Sequence, residues 1–148
     1  MNPRLEALRR VLAELPLANE KAWFWPKPRI HGDGTVEFIR PRYFKSLEQA
    51  FDSFRDGQFG FAVGDKKYFD CLEAWKKRTG KDPFDPANFA CWDREACLLI
   101  WRFFDRQERF GDGIWTQAHA SGVLHATLRR LIELECDDGR EGRETGLG

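Results

Sequence analysis

Arg106-Gln-Glu-Arg-Phe-Gly-Asp-Gly-Ile-Trp-Thr-Gln-Ala-His-Ala-Ser-Gly-Val-Leu-His-Ala-Thr-Leu-Arg-Arg-Leu131 carries in one segment the end of a long helix, a glycine-bearing break, a short helix, a glycine turn and a last amphipathic helix. Gly111 and Gly113 bracket Asp112. Glycine takes backbone angles that side chains forbid, so Asp112 or the glycine beside it is expected to cap the next helix. Ile114, Trp115 and Ala118 give that helix one apolar face, and Ala120-Ser-Gly122 is a stop signal. Leu124, Leu128 and Leu131 then recur at helical spacing, with Arg129, Arg130, Glu133 and Glu135 largely on the other side.

Arg106 and Arg109 are three apart, so on one helix they point the same way and can hold a carboxylate or phosphate between them. With Phe110, Asp112 and Gly113 they form the candidate binding cluster. The competing reading is that Asp105, Glu108 or Asp112 pairs with these arginines and fixes a helix end, because many paired charges are structural.

Upstream, Asp93 is placed to cap the longest helix, running to about Arg109, with Ala96, Ile100, Phe103 and Phe104 on one face and Cys97 and Trp101 widening it. A helix so apolar belongs at the centre of a fold. Lys81-Asp-Pro-Phe-Asp-Pro86 is a loop, since each proline holds the residue before it out of helix. Asp65 caps a helix to about Thr79, and Gly80 ends it. Gln58 to Val63 is short and apolar, with strand character. Ser46-Leu-Glu-Gln49 matches a capping box that opens a helix to about Arg55. Residues 3–15 make a first helix, with Pro3 in its first turn and a stripe of Leu5, Leu8, Val11, Leu12 and Leu15.

Between these helices, His31-Gly-Asp-Gly-Thr35 is a turn signal followed by the strand-like Val36 to Arg40. The segment before it, Trp23-Phe-Trp-Pro-Lys-Pro28, is barred from a central strand but suits an edge. Trp23 and Trp25 share a side if extended. They form either an aromatic platform for a ligand or peptide or a cover for the core, and burial is the commoner use of aromatics. The expected architecture is mainly α (α+β): one helical domain over residues 1–135, with a small β-hairpin in the N-terminal third. Residues 136–148 have no apolar period and are expected to be a disordered tail.

A chain of 148 residues suffices for one core without disulfides. Aromatics are abundant, 13 Phe and 6 Trp against a single Met, so that core is bulky and stiff. Basic and acidic residues balance at 24 each, which removes the global field that generic nucleic-acid binding needs. No apolar run approaches the roughly 20 residues of a membrane helix, and the charged amphipathic N-terminus is not a signal peptide. A soluble, cytoplasmic protein is expected. Cys71, Cys91, Cys97 and Cys136 form no C-x-x-C pair and the histidines do not cluster with them. Free thiols, no metal and no cofactor are therefore expected.

No phosphate-binding glycine loop, dinucleotide fingerprint, H-E-x-x-H or nucleophile elbow is present. His119 and His125 are six apart with a glycine turn between, which does not place them on one helix face. Residues 114–131 also have the outline of a helix-turn-helix, with Ala118 and Gly122 allowing close approach. Its second helix would offer Val123, His125, Ala126, Arg129 and Arg130 to a DNA groove. The acidic flanks Asp112, Glu133, Glu135, Asp137 and Asp138 oppose phosphate.

The pattern Arg106-x-x-Arg109-Phe110-x-x-Gly113, then Gly122, then Leu128-Arg-Arg-Leu131, resembles the C-terminal signature of an uncharacterised family of small bacterial and archaeal proteins, a domain of unknown function. The matching positions are Arg109, Phe110, Gly113, Gly122, Leu128, Arg130 and Leu131, and the resemblance covers about 26 residues. It implies no activity, cofactor or partner, only a shared local structure at Arg109 to Gly113. These readings together point to a non-enzymatic protein-interaction or accessory module of a bacterial or mobile-element system, with a protein partner. DNA binding through His125, Arg129 and Arg130, or an enzyme without a recognisable motif, are the alternatives.

Overall fold

Every residue from Ala96 to Trp101 is buried, whichever way its side chain points. A helix apolar all round has to be covered on several sides. This helix, α4 (Arg94–Gln107), therefore lies at the centre of the molecule. The computed structural model describes residues 2–37, 42–60, 68–108 and 113–146, with residues 138–146 as backbone only.

Around α4 stand α1 (Pro3–Glu14), α2 (Lys45–Arg55), α3 (Tyr68–Thr79), α5 (Ile114–Ala120) and α6 (Val123–Gly146). Helices α3 and α6 cover α4 most extensively, α2 and α5 also pack on it, and α1 lies along α6. Trp101 anchors the interior against Phe51 at 4.9 Å, Phe59 at 5.3 Å and Phe54 at 6.0 Å between ring centroids. Its indole N–H donates to Thr127 Oγ1 at 2.7 Å, so α4 and α6 share a buried polar contact as well as apolar surface. Phe51 in turn stacks on Trp115 at 4.2 Å, with the rings only 5° from parallel. The expected mainly helical class is the observed one.

The hairpin consists of two short antiparallel pairs, one inside the other. Strands β1 (Trp23–Phe24) and β4 (Arg42–Tyr43) form the outer pair, β2 (Arg29–Ile30) and β3 (Val36–Glu37) the inner one. Pro26 and Pro28 lie in the gap between β1 and β2, where a continuous ladder would need N–H groups that proline lacks. At the tip, His31 N–H donates to the Thr35 carbonyl at 2.9 Å, and Gly34 turns the chain with φ +87°. The Asp33 carboxylate accepts from the Thr35 hydroxyl at 2.6 Å and its N–H at 2.9 Å, and these bonds hold its carboxyl below the ordinary range.

Several local expectations change. Ser46 is not the cap of α2. Phe44 holds that position without a side-chain bond, because its N–H donates to the Ala22 carbonyl at 2.7 Å and carries β4 directly into the helix. Asp93 does cap α4, accepting from Ala96 N–H at 2.7 Å. Asn2 caps α1, accepting from Arg4 and Leu5 N–H groups. Pro86 to Cys91 forms a 3-10 helix that sequence reading did not anticipate, with the Asp85 side chain accepting from Ala87 N–H at 3.0 Å. Phe59 is core, but Phe61 to Val63, the rest of the expected strand, and the Asp65 cap lie outside the described residues.

Helix α6 continues to Gly146, past Cys136, where a disordered tail was expected. Extending an existing helix adds one hydrogen bond per residue fixed, and Glu and Arg are good helix formers.

Candidate functional site

The junction between α4 and α5 was the leading candidate from sequence. Arg109, Phe110 and Asp112 lie outside the described residues. Arg106 is half-buried on the last turn of α4, and Gly113 occupies the cap position of α5 with φ +89°. The carboxylate that serves this cap is Glu108. Its Oε2 accepts from Ile114 N–H at 3.1 Å and Trp115 N–H at 3.4 Å. Its Oε1 accepts from the Tyr43 hydroxyl, whose oxygen accepts from Gly113 N–H at 3.0 Å. Asp105 next door is buried and takes the Arg55 guanidinium through Nη2 at 2.7 Å and Nε at 3.0 Å. The Asp105 hydrogen bond is the main reason the Arg55 pKa rises further. These contacts commit Glu108, Asp105 and Tyr43 to fixing helix ends and draw the guanidinium of the exposed Arg55 onto α4.

The helix-turn-helix outline is present, but its second helix is turned into the core. Val123, Leu124, His125, Ala126, Thr127 and Leu128 are all buried. Arg130 Nε donates to the Trp92 carbonyl at 2.8 Å and its Nη1 pairs with Glu133 at 3.1 Å. Of the three residues offered to DNA, His125, Arg129 and Arg130, only Arg129 is exposed. A recognition helix must present several side chains on one open face, and this one does not.

The α5–α6 turn instead brings together two histidines. Gly122, at φ +83°, reverses the chain so that the His119 and His125 rings lie 5.4 Å apart. His119 Nε2 is 2.7 Å from the Pro16 carbonyl. The Pro16 carbonyl, already bonded to His119, also lies close enough to act on His125, but neither His125 ring nitrogen meets hydrogen-bond geometry with any described residue although the residue is only 5% exposed. Burial, followed by the neighbouring His119, pushes the His125 pKa down, and the Pro16 carbonyl pulls weakly the other way. His125 lines a cavity of about 350 Å³ with Leu17, Pro86, Phe89, Ala126 and Arg129.

A larger cleft of about 740 Å³ lies beside α1 and includes Glu135. That carboxylate is already engaged by Asn2 at 3.0 Å, Arg4 at 2.9 Å and Arg94 at 2.6 Å. Burial pushes its carboxyl up, but the Asn2 and Arg4 hydrogen bonds and the charges of Arg94 and Arg4 outweigh this and leave it below its ordinary value. Among the described residues no group of three or more His, Cys, Asp or Glu is placed to hold a metal ion.

The hairpin presents a different kind of surface. Trp25 is 65% exposed and Ile30 78%, and Phe24, Val36 and Phe44 are exposed too. Trp23 and Trp25 meet edge to face at 5.9 Å, as expected for residues sharing a side, and Lys21 Nζ sits 5.2 Å above the Trp23 ring. Phe24 lies 6.1 Å from Phe44, and Ile30 faces Val36 across the inner pair. The core-covering role expected for Trp25 is not the observed one, because two strands alone have no interior to bury it in.

Fold and surface define a mainly helical protein with an apolar two-stranded ribbon. No family model, no curated protein and no solved structure matches the chain. No helix among the described residues is long and apolar enough to cross a membrane.

Proposed function

We propose that this protein is a protein-interaction module whose binding surface is the ribbon from Trp23 to Phe44. One observation carries the reading: five large apolar residues, Phe24, Trp25, Ile30, Val36 and Phe44, are exposed on or beside the two short strand pairs. Single exposed apolar residues are ordinary, whereas a group of large ones marks an interaction site. Tryptophan and phenylalanine are also the residues that interface cores favour. The inward engagement of Glu108, Asp105 and Arg130 argues for the same reading over one based on the α4–α5 junction or on DNA. An accessory role in a bacterial or mobile-element system belongs to this proposal.

The test uses the wild-type chain and a Trp25→Ser/Ile30→Ser variant as baits in host lysate, with and without nuclease. Both residues are exposed, so the variant should keep the wild-type circular dichroism and Tm. A specific protein that survives nuclease and is lost with the variant is the expected result. Equal recovery by both baits, or nucleic acid recovered only without nuclease, would overturn the proposal.

A further inference from the structure

The cavity beside His125 is independent of the ribbon. Three of its residues, His125, Ala126 and Arg129, lie on one face of α6, and Gly122 lines it from the turn just before that helix. Leu17 and Ala18 form the wall from the loop after α1, and Pro86 and Phe89 the wall from the 3-10 helix. Its volume of about 350 Å³ is at the small end of ligand sites, which run to about 1,000 Å³.

Two features need explanation. A buried imidazole without a partner is costly, because a donor and an acceptor have lost water and gained nothing. Arg129, one turn further along, is exposed and forms no ion pair among the described residues. The cavity also borders the N-terminal turns of α6, where the helix dipole favours negative charge. The walls between these polar groups are apolar and include the flat faces of Pro86 and Phe89.

We infer that this cavity binds a small organic carboxylate with a flat apolar body. The carboxylate sits between the Arg129 guanidinium and the His125 ring, which lie one helical turn apart on α6 and each donate to it, and the body lies between Phe89, Pro86 and Leu17. A bare inorganic anion would meet Arg129 and His125 but leave the apolar walls unused. A neutral analogue would fill the walls and leave the guanidinium unused.

Benzoate is a suitable probe, followed through the His125 and His119 ring Cε1–H resonances by proton NMR. Benzamide and inorganic phosphate are the controls, and Arg129→Gln is the variant, chosen because an exposed residue can be changed without unfolding the chain. The expected result is a saturable shift with benzoate, at least tenfold weaker binding in Arg129→Gln, which is about 1.4 kcal/mol, and weaker binding of both controls. Absence of a saturable shift with benzoate would overturn the inference. So would equal affinity in the variant, benzamide binding as tightly as benzoate, or phosphate producing the same shift.

Discussion

The Tyr43 hydroxyl donates to the Glu108 carboxylate across 65 residues of sequence, and the same phenol oxygen accepts from Gly113 N–H. The end of the ribbon is thereby tied to the break between α4 and α5. Tyr43 also packs on Trp115 at 5.1 Å, and Trp115 stacks on Phe51 of α2, so the contact extends into the core.

Tyr43→Phe and Glu108→Gln should each destabilise the protein by about 1.5–3 kcal/mol, the range for hydrogen bonds involving a charged group. Together they should cost less than the sum, because one removes and the other weakens the same bond. Urea unfolding of the wild type, the two single variants and the double variant measures the coupling. Strict additivity would mean that the two groups act separately.

Thr127→Val keeps the volume of the side chain and deletes the acceptor of the Trp101 indole. Both residues are fully buried, so the N–H would lose its partner with no access to water. The expected cost is about 1–3 kcal/mol, with Thr127→Ser closer to wild type. If Thr127→Val were as stable as wild type, this hydrogen bond would contribute little to holding α4 on α6.

Acid should weaken the fold in two stages. The His125 pKa is lowered in the folded chain, so the unfolded chain binds its proton first and stability falls as pH drops below about 6.5. Glu135 is also lowered, so its contribution is complete above about 4.5 and is lost as pH falls through the folded value. Tm measured from neutral to acid pH should decline in both windows. His125→Asn should flatten the upper one and Glu135→Gln the lower. A wild-type Tm that is constant between pH 7 and 5 would contradict the first assignment.

The four cysteines are free and differ in exposure. Cys91 is exposed, with Lys81 Nζ 3.0 Å from its sulfur. Cys97 is buried in α4, and burial pushes its thiol up to about 12. A thiol reagent at neutral pH should therefore modify Cys91 promptly and Cys97 only after denaturation, because the thiolate is the nucleophile. Peptide mapping by mass spectrometry reads both sites in one sample. Equal labelling of the two in the native protein would refute the expected order.

Legibility in the sequence followed the range of the interaction. Apolar periodicity located α1, α4 and α6, and Asp93 could be read as a cap because its partner is the N–H of Ala96, three residues on. Ser46 had the same local pattern but lost the position to Phe44, whose backbone is fixed by Ala22 on the far side of the ribbon. Glu108 as the cap of α5 was equally hidden, since it reaches over a break that local pattern matching assigns to Asp112. The pairing of His119 with His125 was missed because a spacing of six was judged against a single helix, whereas Gly122 turns the chain between them. The exposure of Trp25 was not legible, because apolar residues in extended chain look alike whether the facing surface is present in the chain or absent from it.

Five of the six tryptophans are at least partly covered, and Trp25 is the one that stands out in solvent. The protein thus carries its own optical reporter on the proposed contact surface. Iodide or acrylamide should quench Trp25 emission first, at the red edge of the spectrum, while Trp92 and Trp101 remain shielded. A partner that covers the ribbon would shift that emission to the blue and protect it from quenching, without any label. Occupation of the His125 cavity would leave the Trp25 signal unchanged, so one chromophore can tell the two surfaces apart.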